Sequence, residues 1–423
     1  MDVRRPWLIF AKRSREEGPL RPPPNTALYR PSPGPAAAGG AGTPRMKGTR
    51  MKSKAAIFTE IGKPLILDEI EVDDPGPTEC LVKLDATGLC HTEIWYMGGG
   101  DQVDYNALSP RILGHEGGGV VVKCGSQVTS LKEGDHVVPL YIAECGTCPE
   151  CKNPQTNLCS YLDDKGYYEG VMPDGNPRFH WHGKDVKHFM GTSTFSQYTV
   201  VPEVALAKIR EDAPLDRVCL LGCAITTGVG AVLWTAEVHS GASVAVFGCG
   251  PIGLNVVQGA KLALADKIIA VDLKPERLKL AGELGATHLV NAADFGGNAT
   301  AHVKELTGGG VDFSFEATGN TTVMRQAFES VRYGGGKCVL IGVAKTGEEL
   351  HLIPRTLIAG RQLTGTAFGG CKGRTQLPLL VDWYMDGRLK IDELVTKEIP
   401  LEKINDAFDW MRQDQGYRYI VKY

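Results

Sequence analysis

The rhythm of apolar and polar positions changes partway along the chain. From Lys54 to about Leu140, short apolar runs are separated by Gly, Pro and Asp: Ala55-Ala56-Ile57-Phe58, Glu79-Cys80-Leu81-Val82-Lys83-Leu84, Gly119-Val120-Val121-Val122 and Gly134-Asp135-His136-Val137-Val138-Pro139. Runs this short, bounded by turn formers, predict strands. Together they predict a compact, partly open β-barrel with loops at its rim.

From about Ser243 the pattern becomes strand, helix, strand. Ser243–Phe247 predicts a buried strand, Gly253–Ala263 a helix, Lys267–Val271 a strand and Pro275–Leu284 a helix. Strands over Gly310–Phe315 and Lys337–Ile341 continue the alternation. Strands alternating with helices of this length predict a doubly wound parallel sheet. After Gly365 the chain is expected to return to the first domain and end in a strand near Tyr419–Lys422. The fold class is therefore α/β, with the β-rich domain in two pieces (53–222 and 367–423) and the doubly wound domain (223–366) inserted between them.

Residues 1–52 read differently. The first fifty hold nine of the 25 prolines, ten Lys/Arg and three acidic residues. Such a segment cannot bury enough apolar surface to offset the cost of ordering, so a disordered or targeting extension is expected. An extension of this kind leaves plastid or mitochondrion as alternatives to the cytoplasm. A net charge of −3 supplies no broad positive field for nucleic acid. No run approaches the roughly 18 apolar residues that span a bilayer, so neither nucleic acid nor membrane is expected as a partner.

Twelve cysteines change the picture through their spacing. Cys145-x2-Cys148-x2-Cys151-x7-Cys159 lets one loop (144–160) wrap a tetrahedral ion, and four thiolates with no position left for water make a structural zinc site. Disulfides are the competing reading.

Gly248-Cys249-Gly250-Pro251-Ile252-Gly253 directly follows an apolar strand and opens a helix, the context in which G-x-G-x-x-G marks a dinucleotide site. Gly248 permits the turn, Gly250 the approach of pyrophosphate, and Gly253 close helix–strand packing. Asp272, 19 residues after Gly253, suits the adenine-ribose hydroxyls and favours NAD over NADP. Lys274 and Arg277 lie beside it and weaken that exclusion.

Cys90-His91-Thr92-Glu93, Gly114-His115-Glu116-Gly117 and Cys223 are too dispersed for spacing alone to join them. With the four-cysteine lobe, Gly191-Thr192-Ser193-Thr194-Phe195-Ser196 and Gly365-Thr366-Ala367-Phe368-Gly369-Gly370, they closely resemble the zinc-dependent alcohol dehydrogenases of the medium-chain dehydrogenase/reductase superfamily. The resemblance runs over roughly 54–423 and is closest to the class III branch (glutathione-dependent formaldehyde dehydrogenase) and the plant-type ethanol dehydrogenases.

That resemblance implies a GroES-like catalytic domain and an inserted Rossmann domain. It implies two zinc ions and NAD in each subunit of a homodimer. Cys90, His115 and Cys223 become ligands of a catalytic zinc, with Glu116 behind them. His91, Arg277 and Arg418 become cofactor contacts, and Thr227 and Ile252 pack on the nicotinamide. Thr92 becomes the proton carrier for a primary alcohol whose zinc-bound alkoxide gives hydride to NAD. Tyr141 and Phe368 would line the pocket. Many relatives pass the proton on to a histidine three residues after this threonine; here that residue is Trp95.

The class III branch places an arginine four residues after the last lobe cysteine, to hold the glutathione carboxylate. Here that residue is Asp163, followed by Asp164, so the charge is reversed. Asp101 matches an acid of that branch, but Val103 replaces a second. A general primary alcohol or aldehyde is therefore expected as substrate, with S-(hydroxymethyl)glutathione as the alternative. A protein that kept zinc and NAD but lost the chemistry is the reading from another class.

Overall fold

The computed structural model describes residues 50–100, 109–161 and 169–423. The first strand, Met51–Phe58, pairs antiparallel with Ile66–Val72 from Met51↔Val72 onward, so it begins inside the span expected to be an extension. Arg50 anchors that end, reaching Asp73 at 3.0 Å and Glu71 at 2.6 Å.

Two sheets make up the part expected to form a barrel. One has five strands in the order Arg111–Ile112, Met51–Phe58, Ile66–Val72, Phe179–Trp181, Lys184–Val186. The other has seven strands around Glu79–Gly88. One edge of that long strand takes Gly117–Cys124. Its other edge takes Tyr198–Pro202 along Glu79–Lys83 and Arg418–Lys422 along Ala86–Gly88. His136–Pro139 and Leu206–Ile209 extend the sheet on one side and Val395–Pro400 on the other. The last strand of the chain thus pairs directly with one of the first.

The third sheet is parallel throughout. Its six strands run in the order His288–Asn291, Lys267–Asp272, Ser243–Phe247, Phe313–Glu316, Lys337–Leu340, Gln362–Gly365. In chain order that is 3-2-1-4-5-6, the doubly wound arrangement whose strand order reverses between strands one and four. A ligand crevice is expected at that reversal, outside the carboxyl ends of Ser243–Phe247 and Phe313–Glu316.

Several sequence boundaries shift, three of them for clear local reasons. The fourth strand begins at Phe313 rather than Gly310, because Gly310 has φ +132° and Val311 makes only an isolated bridge to Val331. The helix expected from Gly253 begins at Pro251, with Gly250 as N-cap. Proline suits that first position, where its missing N–H is not needed. The strand expected over Gly134–Pro139 starts at His136, since Gly134 has φ +90°.

Candidate active site

Cys90 ends the loop after strand Glu79–Gly88 and is N-cap of the helix His91–Met97. His115 sits in the turn between Arg111–Ile112 and Gly117–Cys124. Gly114 makes that turn with φ +92°, where a side chain would meet Phe195 Cδ1 and Thr194 Oγ1 at 2.5 Å. The Thr192–Phe195 segment clamps it: Thr192 Oγ1 and Thr194 N both donate to the Gly114 carbonyl at 3.0 Å, and Phe195 N to Leu113 at 3.0 Å. Cys223 precedes the helix Ala224–Gly230 with φ −147°, ψ −87°.

From these three segments the structure gathers ligand atoms of Cys90, His115, Glu116 and Cys223 within 4.8 Å of one another, all buried. Glu93 orients the set. Its Oε1 accepts from Nδ1 of His115 and its Oε2 from the backbone N–H of Cys90 at 3.1 Å. Nδ1 being engaged, Nε2 is the imidazole nitrogen left for a metal. Burial pushes His115 down, but the Glu93 carboxylate and Cys90 raise it to about 10. The Cys90 thiol is drawn well below its ordinary range by a hydrogen bond from Cys223, with His115 and Arg418 adding to the effect. Glu116 Oε2 pairs with Arg418 Nη2, whereas Oε1 is buried with no hydrogen-bond partner. Two sulfurs and an imidazole nitrogen at one point fit a zinc ion with an open coordination position, and the orphaned Glu116 oxygen beside them suits a cation there.

Aromatic rings wall this cluster. Tyr141 lies edge-on to His115 at 5.6 Å between centroids and to Phe368 at 5.0 Å. Phe189 meets His115 at 6.2 Å, a contact with no signal in the sequence. Thr92 Oγ1 is 3.5 Å from Cys90 Sγ. His91 is exposed in the first turn of its helix, and Trp95 lies partly buried one turn on. Asp163, like Asp101, Val103 and Asp164, lies outside the described residues.

The helix that starts after Cys223 ties the cluster to the glycine turn. A side chain at Gly228 would lie 2.5 Å from the Ile252 carbonyl, so Ala224–Gly230 packs tightly on Pro251–Leu262, and Thr227 and Ile252 sit at that contact. In the turn itself, Gly248 has φ +92° and a side chain at Gly253 would collide with the Gly248 carbonyl. One at Gly250 would meet nothing within 4 Å, an opening where backbone and phosphate can approach. Asp272 Oδ2 accepts from Cys249 N at 2.6 Å and Oδ1 from Lys274 N at 2.9 Å. Arg277 turns away toward Asp414. Arg418, 2% exposed, is drawn into the ligand cluster through Glu116.

In the cysteine lobe, Cys145 and Cys151 Sγ are 3.9 Å apart and Cys148 and Cys159 Sγ 3.8 Å, far beyond the roughly 2.05 Å of a disulfide. A tetrahedron with metal–sulfur bonds of about 2.3 Å has edges of about 3.8 Å, so the four thiols fit a zinc ion. Burial would raise Cys145, but the Thr147 hydroxyl and the N–H groups of Thr147 and Cys148 bring it down to about 6. Asn157 Nδ2 pins the lobe to the carbonyls of Ala367 (3.0 Å) and Cys371 (3.2 Å). Lys372 Nζ reaches the Cys151 carbonyl at 2.8 Å.

Comparison with known proteins agrees with this geometry. Residues 76–211 match the alcohol dehydrogenase GroES-like domain and 251–385 the zinc-binding dehydrogenase domain. An alcohol dehydrogenase class-3 of Cereibacter sphaeroides is 47% identical over 379 residues, covering 88% of this chain and all of that protein. An S-(hydroxymethyl)glutathione dehydrogenase of Synechocystis is 49% identical over 374 residues, with the same coverage. The benzyl alcohol dehydrogenase of Acinetobacter calcoaceticus superposes with a TM-score of 0.80 at 31% identity, over 88% of this chain and 99% of that one. The chain belongs to the zinc-dependent medium-chain alcohol dehydrogenases, on the class III branch.

Proposed function

We propose that the chain interconverts a primary alcohol and its aldehyde with NAD at the cluster of Cys90, His115 and Cys223. The observation that carries this is the convergence of those three buried side chains on one point, joined by the helix Ala224–Gly230 to the glycine turn. A zinc ion held there would supply Lewis acidity toward a substrate hydroxyl, and NAD seated on the glycine turn would supply the hydride acceptor. Two thiolates and an imidazole hold the ion, and Glu93 and Glu116 orient and balance that set. The Thr92 hydroxyl takes up the alcohol proton. With Trp95 one turn on, the next acceptor is water or His91 at the exposed helix start. Tyr141 and Phe368 bind the apolar part of the substrate and exclude water. Gly248, Gly250 and Gly253 seat the pyrophosphate, with His91 and Arg418 as cations, Asp272 holds the ribose, and Thr227 and Ile252 carry the nicotinamide. The four-cysteine lobe holds a second, structural zinc.

The domain division at 222/223 and 366/367 follows from the same reading. A homodimer is supported by the edge strand Gln362–Gly365 and by the exposed apolar side chains of Ile358 (86%) and Val343 (78%). Twelve unbridged cysteines suit a reducing compartment such as the cytoplasm.

The names of the relatives favour a second substrate, S-(hydroxymethyl)glutathione. Turnover of ethanol, hexanol and cinnamyl alcohol, beside formaldehyde with and without glutathione, separates the two. Thiol-independent turnover of plain alcohols supports the first, and strict dependence on glutathione overturns it. Zinc and NAD binding without turnover of any of them would leave a non-catalytic protein.

A further inference from the structure

Two cations flank Asp272 at the adenosine end of the dinucleotide site. Lys274 follows it by two residues, and Arg277 Nη1 lies 4.0 Å from Asp272 Oδ2. In such folds an acid at this position selects a free ribose 2′-hydroxyl, whereas a nearby arginine accommodates a 2′-phosphate. This chain carries both signals at once.

The conflict is resolved from outside the parallel sheet. Asp414 lies in the turn after helix Ile404–Arg412. Its Oδ1 accepts from Arg277 Nη2 and its Oδ2 pairs with Lys274 Nζ, so one carboxylate engages both cations. Tyr417 docks the same turn, donating its hydroxyl to the Glu276 carbonyl at 3.3 Å. Asp414 has φ +56°, a left-handed conformation that Asp and Asn adopt more readily than most residues.

We propose that Asp414 is a specificity-determining residue which, by occupying Lys274 and Arg277, denies a 2′-phosphate its cations and sets the preference for NAD over NADP together with Asp272. This inference rests on the dinucleotide site argued above. With Asp414 ionised, two carboxylates face two cations and the cluster is neutral. An incoming phosphate would have to displace Asp414 and then sit beside both carboxylates. Without that charge the cluster is net positive, and Arg277 presents a free guanidinium fork, the geometry that grips phosphate. Stability alone gives these pairs little purpose: Asp414 is 43% and Lys274 37% exposed, and ion pairs so exposed contribute little to folding.

The test is fluorescence titration of NADH and NADPH into the zinc-loaded enzyme at low ionic strength. Wild type, Asp414→Asn and the double variant Asp414→Asn/Arg277→Ala are compared. Asparagine keeps the left-handed turn and removes only the charge. NADPH is expected to bind about tenfold or more tightly to Asp414→Asn, the scale of one charge-assisted contact, with NADH within about threefold. The double variant should lose the gain. An unchanged NADPH-to-NADH affinity ratio in Asp414→Asn overturns the proposal, as does equal weakening of both nucleotides, which would make the turn a tether only. A wild type that binds neither nucleotide overturns the underlying dinucleotide site as well.

Discussion

The carboxylate of Glu93 accepts from His115 Nδ1 through one oxygen and from the backbone N–H of Cys90 through the other, at 3.1 Å. A single buried side chain therefore fixes the ring of one ligand and the main chain that carries another. Replacing Glu93 by glutamine keeps the size and removes the charge that holds the imidazole. Metal affinity at this cluster should fall about 10- to 100-fold. Competition with a graded chelator checks this, and the four-cysteine lobe should retain its metal throughout.

Thr92 Oγ1 lies 3.5 Å from Cys90 Sγ, and the proposed function has it relay the substrate proton. Thr92→Ala should lower kcat by roughly 100- to 10,000-fold, the range for a positioned proton-transfer group. Metal content should stay at the wild-type value. Steady-state kinetics beside elemental analysis decide it, and near-normal turnover would remove Thr92 from the mechanism.

His188 gives the chain an acid-sensitive point away from the site. Burial, with Arg178 and Arg111 adding to it, pushes its imidazole down to about 3. Its Nε2 accepts from Arg178 N at 3.2 Å, which requires the neutral ring. Below about pH 6.5 the unfolded chain takes up a proton that the folded chain refuses until about pH 3, so stability drains away across that window as pH falls. At pH 5 the loss from this one group is about 2 kcal/mol. Urea unfolding of wild type and His188→Asn at pH 7.5 and pH 5 reads the difference. The variant should lose less stability on acidification, and equal losses would contradict the assignment.

An association edge is expected along Gln362–Gly365. That strand ends the parallel sheet, and Ile358, four residues before it in the chain, is exposed. Ile358→Glu should shift a dimer toward monomer in light scattering at micromolar concentration. A wild type that is already monomeric, or a variant that stays dimeric, would move the interface elsewhere.

Local signals in the sequence carried much of this. Ser243–Phe247 is a continuous apolar run before a glycine turn, so strand, turn and helix all followed from one short stretch. The lobe was legible because its four sulfurs come from a single loop, where spacing is geometry. Gln362–Gly365 was not, because an edge strand with exposed polar positions has no burial pattern to announce it. Phe189 and Asp414 were silent for another reason: their partners, His115 and the Lys274–Arg277 pair, are far away in sequence. Resemblance makes Arg418 a cofactor cation, but its burial against Glu116 depends on the register Ile420↔Gly88, which only the assembled sheet reveals. Cys90, His115 and Cys223 could be joined only through resemblance, because three separate segments bring them together.

Those three side chains are proposed to hold a metal on which the chemistry depends. Elemental zinc per subunit, measured on wild type and on Cys223→Ser after identical purification, tests it most directly. Two zinc ions should fall to one, with alcohol oxidation lost and the unfolding transition retained. Two ions and undiminished turnover in the variant would contradict it.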